Sequence, residues 1–157
     1  MAMPIDRKND RDCNDGRRAP GRMGTLSKRV AILPPALHPP LANYAHASLV
    51  EGINRILHVS GQIAIQPDGS VPVGTAAQAR LIFQSIDAIL DEADMSRNDV
   101  AKISAFVTDR DGFAYYMSVR DDWIRDLPVP PASTLMMVSG FTRPEFCVEV
   151  EVIACQT

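Results

Sequence analysis

The sequence predicts an α+β fold, a two-layer sandwich of a mixed β-sheet with two helices on one face, in the order ββαβαββ. Three observations carry this. Residues 75–93 and 111–127 repeat apolar side chains at helical spacing. Five short runs carry the alternation or apolar density of strands. Each helical stretch also stands between runs that can lie parallel, so a right-handed crossover over one sheet face buries both apolar stripes.

The elements follow in order. Tyr44 to Val50 and Asn54 to Ser60 read as two strands around Glu51-Gly52-Ile53, where Gly52 supplies the positive φ of a three-residue hairpin loop. Ala45, Ala47, Leu49, Leu57 and Val59 fall on one face, and Tyr44, His46, Ser48, Asn54, His58 and Ser60 on the other. Pro67-Asp68-Gly69-Ser70 is a turn. Thr75-Ala76-Ala77-Gln78 fits a capping box, opening a helix with a stripe of Ile82, Ile86, Ile89, Leu90 and Ala93. Val100 to Thr108 is a strand. Asp111 caps a second helix, which ends near Leu127-Pro128 and buries Phe113, Tyr116, Met117, Trp123, Ile124 and Leu127. Ala132 to Ser139 and Phe146 to Cys155 complete the sheet. Its second face carries Tyr44, Ser60, Glu149 and their neighbours. It has too little charge to be simply solvated, which suggests packing against other copies of the chain.

Composition bounds the protein class. The 157 residues, 46% hydrophobic and 22% charged, suit one soluble globular domain. No run of about 18 apolar residues spans a membrane. Residues 1–30 carry eight Lys/Arg against four Asp, and residues 31–157 carry eight Lys/Arg against fifteen Asp/Glu. The first 30 residues, without apolar periodicity, read as a disordered basic extension. Residues 31–43 read as a stiff proline-rich lead-in and 44–157 as the domain. The extension lacks the apolar core of a secretory signal, and its four Asp argue against a transit peptide. Met23 opens MGTLSK, with Lys28 where a myristoylation signal wants Ser or Thr, and is itself a candidate first residue. Three cysteines build no disulfide framework, so a reducing cytoplasm is the expected location.

Four features bear on chemistry. Ser60-Gly61-Gln62 ends a strand with small residues whose backbone N–H groups can hold a carbonyl or carboxylate oxygen. Glu149 and Glu151 share one face of the last strand, roughly 7 Å apart, a spacing suited to acid/base work or water positioning. The proposed hairpin pairs Tyr44 with Ser60 and His46 with His58. A two-histidine pair resembles part of a metal site, but no third ligand completes it, so neither metal nor cofactor is assigned. Pro130-Pro131 fix the approach of Ser133 and Thr134, whose hydroxyls lack a Ser–His–Asp arrangement.

These segments together resemble the reactive intermediate deaminase (Rid, YjgF-like) family. The resemblance runs through Tyr44, HVSGQIAIQPDGSVP at 58–72, AAQARLIFQSIDAIL at 76–90, VAKISAFVTDRDGFAYYMSVRDDW at 100–123, PPASTLMMV at 130–138 and CVEVEVIA at 147–154. It implies a chorismate-mutase-like fold in a homotrimer, sheets inside and helices outside, with small-molecule sites in clefts between subunits. Deaminating members hydrolyse enamines and imines such as 2-aminoacrylate to 2-keto acids and ammonia. By the same resemblance Tyr44 stands at the cleft, Ser60, Gly61 and Gln62 line it, Glu149 lies near the catalytic water, and Glu151 is its strand neighbour. The family's carboxylate-gripping arginine follows Pro-Ala, and here Ser133 follows Pro131-Ala132; the cysteine two residues on is Leu135.

Serine can neither neutralise nor fork a carboxylate. The expected function is therefore a hydrolase or deaminase of a C–N compound outside the 2-aminoacrylate class. Its substrate either lacks an α-carboxylate or is held by another arginine, such as Arg143 or Arg110. The alternative is a small-molecule binding or regulatory trimer without catalysis. Action on RNA, which older endoribonuclease assignments in the family suggest, is disfavoured by the acidic domain and the lack of a basic–aromatic stripe.

Overall fold

The computed structural model describes residues 28–157 and has the expected two layers. Its elements are β1 (Arg29–Ile32), β2 (Ala47–Val50), β3 (Arg55–Gln62), α1 (Thr75–Glu92), a short 3₁₀ turn (Arg97–Asp99), β4 (Val100–Val107), α2 (Arg110–Trp123), β5 (Ala132–Met137) and β6 (Val148–Gln156). The main sheet has the order β3-β6-β4-β5. Among its four described strands only β4 and β5 pair in parallel, with α2 as their crossover; β6 is antiparallel to both of its neighbours.

Alternation decides which sheet face meets the helices. On β4, Ile103, Ala105 and Val107 are buried, and on β6 Val148, Val150, Val152 and Ala154 are buried. They pack against Ile82, Phe83, Ile86 and Leu90 of α1 and Tyr116, Val119 and Trp123 of α2. The intervening residues Lys102, Ser104, Phe106, Glu149 and Glu151 therefore belong to the outer face. Of the predicted α2 stripe, Phe113 is instead 40% exposed.

The predicted hairpin does not form. β2 pairs with β1, a strand the sequence reading placed in the extension and the lead-in, and β3 pairs with β6. Gly52 does adopt φ 66°, but the turn joins strands of two different sheets. Buried Arg29 anchors β1 to the domain by donating to the carbonyls of Asn98 (3.2 Å) and Val129 (2.6 Å). A distant chain segment thus outcompeted the adjacent one, which periodicity alone cannot foresee.

Both helix starts also differ from the reading. Gly74, at φ 86°, is the N-cap of α1 and makes no side-chain cap. Thr75 and Gln78 therefore form no capping box. Asp109, not Asp111, caps α2 by accepting from the Gly112 amide. The helices join at Asp87, whose Oδ1 accepts from Trp123 Nε1 (3.0 Å) and Arg97 Nε (2.7 Å).

The Tyr116 hydroxyl is buried with no hydrogen-bond partner among the described residues. Burial raises its pKa above the ordinary tyrosine value. A raised folded-state pKa contributes stability below the unfolded value of about 10, and that contribution is lost as pH climbs beyond it. Tyr116→Phe is expected to be neutral or stabilising by about 1 kcal/mol near neutrality, because an unsatisfied polar group is removed. It should also lessen the loss of stability above about pH 10. Urea unfolding of both proteins across that range checks both expectations.

Candidate functional site

The most concentrated candidate chemistry lies where β3 is irregular. Val59 pairs with Val152 and Gln62 with Val150, so Ser60 and Gly61 together stand opposite Glu151. This bulge is a device that re-aims side chains at sheet edges. Beside it Glu149, half-buried on the outer face of β6, lays its carboxylate against the backbone of Gly61. A Cβ at position 61 would fall 1.8 Å from Glu149 Oε1. Glycine is needed here for close approach, since its φ is not positive. Gln62 turns its amide back onto the Ser60 carbonyl (3.0 Å).

The Gly61–Glu149 contact floors a cleft of about 640 Å³ that Ile63, Gly140, Phe141 and Thr142 complete. Sequence reasoning missed those four residues. The three from the loop before β6 carry no motif, and only the tertiary fold brings them over Glu149. A second, smaller hollow of about 260 Å³ on the outer face holds His58, Ser60, Lys102, Ser104 and Glu151. Lys102 Nζ donates to Thr134 Oγ1 there, and burial lowers its pKa. Glu149 and Glu151 do share a face, yet they line different hollows.

Tyr44, Ser133 and Thr134 stand at the β5 edge of the sheet. Ala45 bridges Ala132 in parallel, and its amide donates to the Pro131 carbonyl (3.1 Å). Tyr44 therefore lies beyond β5, three strand spacings from β6, or about 14 Å. Its backbone is positioned from α2: the fully buried Arg120 donates through Nη1 to the Asn43 carbonyl (3.2 Å). Ser133 pairs with Ile103 and Thr134 with Ser104, so the two hydroxyls point to opposite sheet faces. They do not converge on one pocket. Nor does Tyr44 face Ser60, or His46 face His58. His46 is engaged by the His38 carbonyl (2.8 Å), while His58 pairs with Ile153 across β3 and β6.

The two candidate replacement arginines do not line the Glu149 cleft. Arg143 Nε donates to Glu145 Oε1 (2.7 Å), and its guanidinium lies 5.1 Å from the Phe146 ring centre. The Glu145 carboxyl is held below the usual carboxylate range by its own backbone N–H and by Arg143. Arg110 is exposed at the first residue of α2. Cys147 lies just ahead of β6 and Cys155 within it.

Comparison with known proteins places this arrangement. The family model described as endoribonuclease L-PSP matches residues 36–156. A RutC family protein of Aquifex aeolicus is 33% identical over 116 residues, covering 73% of this chain and 90% of the relative. A RutC family protein of Leuconostoc mesenteroides is 34% identical over 136 residues, covering 82% and 98%. Among solved structures, the conserved Rid family protein YyfB of Yersinia pestis superposes with a TM-score of 0.73 at 23% identity, covering 81% of this chain and 98% of that one. TdcF of E. coli, solved with bound serine, superposes with a TM-score of 0.61 at 26% identity, covering 75% and 91%. A match over the whole of the main sheet and both helices means that this chain belongs to the endoribonuclease L-PSP family, the YjgF/Rid proteins.

Proposed function

We propose that this chain is a subunit of a homotrimer with small-molecule sites between copies, and that it hydrolyses an imine, enamine or amide-type metabolite other than the 2-aminoacrylate class. The observation that carries the reading is the Glu149 carboxylate set against Gly61 at the floor of an open cleft. Tyr44 lies on the far side of the same sheet, so one copy holds two half-sites that a neighbour would complete. Such heterologous contacts close into a ring. The outer sheet face supports assembly, since it leaves Ile56 53% and Met136 49% exposed.

The chemistry asks little of the protein. For an imine, the water oxygen bonds to the C=N carbon and the π electron pair moves to nitrogen. Glu149 takes the water's proton and passes it to that nitrogen. Glu149 then takes the carbinolamine O–H proton and returns it to the nitrogen as the C–N bond breaks, so ammonia leaves and C=O forms. Ser133 supplies no charge to grip an α-carboxylate, which removes a charge-assisted pair of roughly 1.5–3 kcal/mol.

Glu149→Gln keeps the side chain's shape and removes its basicity. Ammonia release from freshly generated imines, above the uncatalysed background, is expected to fall by about 10²- to 10⁴-fold. Unchanged release would sink the hydrolytic role of Glu149. Sedimentation velocity at micromolar concentration should give about three times the chain's mass, and a stable monomer would overturn the intersubunit site. The second reading, binding without catalysis, is favoured by TdcF having been solved with serine. It predicts saturable ligand binding with no ammonia release from any imine. RNA as substrate finds little support in a domain with fifteen acidic against eight basic residues over 31–157.

A further inference from the structure

We infer that the Glu149 cleft selects a neutral or cationic ligand with an apolar body, and rejects one that presents a carboxylate. The inference rests on the reading of that cleft as the small-molecule site, and it chooses between the two substrate types the missing arginine leaves open. Three features carry it. The cleft's one charged side chain among the described residues is the Glu149 carboxylate. An anion entering would meet like charge beside the half-buried Glu149, which disfavours it. The arginine nearest in the chain, Arg143, is occupied by Glu145 and stacked on Phe146. Finally, Ile63 and the half-buried Phe141 ring form an apolar wall, so a substituent laid there leaves water. A protonated imine suits this setting on every count. Its C=NH₂⁺ group is drawn to Glu149, and its apolar body reaches Phe141. Phe141 is then a specificity-determining residue, and Thr142 a polar neighbour at the rim.

Three small probes test this without relying on turnover: phenylacetamide and phenylacetate, which match in shape, and acetamide, which lacks the ring. Isothermal titration against the full-length protein gives affinities, and amide NMR shifts at Gly61 and Gly140 give location. Phenylacetamide is expected to bind about tenfold or more tighter than phenylacetate, and roughly ten- to a hundredfold tighter than acetamide. Phe141→Ala should abolish the preference for the phenyl group, and Glu149→Gln should narrow the gap between amide and acid. Phenylacetate binding as tightly as the amide would overturn the inference, because a cation must then reach the cleft from a neighbouring copy. Failure of all three probes to shift Gly61 and Gly140 would overturn it too. The two readings fail separately. Probe binding as expected with no ammonia release from any imine removes catalysis and leaves this selectivity. Glu149-dependent hydrolysis together with a preference for the acid does the reverse.

Discussion

Gly61→Ala is expected to abolish turnover while leaving the fold in place. The new methyl group would lie 1.8 Å from Glu149 Oε1 and 2.7 Å from its carboxyl carbon. Both cannot stay. The backbone at Gly61 does not use a positive φ, so alanine is not excluded by strain. The atoms in the way are the far end of a flexible side chain, and Glu149 can swing out toward solvent without moving β6. Stability should therefore fall by no more than about 1 kcal/mol. The carboxylate, however, leaves the cleft floor. Activity should drop about as far as in Glu149→Gln, by roughly 10²- to 10⁴-fold. Thermal melts beside ammonia release separate the two effects. A variant that melts normally and still turns over would show that Glu149 is not needed where the structure puts it.

Gln78→Met is expected to cost more stability than any other polar substitution discussed here. Gln78 is 1% exposed, and its amide serves three backbone groups from two separate segments of the chain. Nε2 donates to the carbonyls of Pro72 (2.9 Å) and Glu145 (2.7 Å), and Oε1 accepts from the Cys147 amide (2.8 Å). Methionine keeps the length and volume but makes none of these bonds. Each buried group left unpaired costs about 1–3 kcal/mol, so a total of roughly 3–5 kcal/mol is reasonable after local relaxation. That corresponds to a fall in melting temperature of about 6–20 °C for a domain of this size. The same bonds pin the end of the loop that carries Phe141 and Thr142, so ligand affinity should weaken as well. Urea unfolding measures the first effect, and titration with phenylacetamide the second. A melting temperature within about 2 °C of wild type would refute the role assigned to Gln78.

Gln78 also shows where sequence reasoning stops. Its position three residues after Thr75 reads naturally as half of a capping box, because local spacing is all that a sequence displays. In the folded chain Gly74 takes the cap, and the side chain reaches Glu145 and Cys147, more than sixty residues away. The hairpin failed for a related reason. Ala47–Val50 has strand character whichever partner it takes, and the choice of β1 depends on Arg29 finding the carbonyls of Asn98 and Val129.

What the sequence determined by itself is whatever periodicity encodes. The two helices, the strands of the main sheet, the face on which Glu149 and Glu151 lie, and the two-layer architecture all follow from spacings of two and 3.6 residues, which local sterics and burial enforce. Only the tertiary structure decided which strands are neighbours and where the sheet bulges. Those choices turn on competition between distant segments for the same edge, a sum of small packing and hydrogen-bond differences that no local window contains. They place Gly61 under Glu149, bring Phe141 over it, and carry Tyr44 and Ser133 to the far edge of the sheet, away from the residues with which the sequence had grouped them.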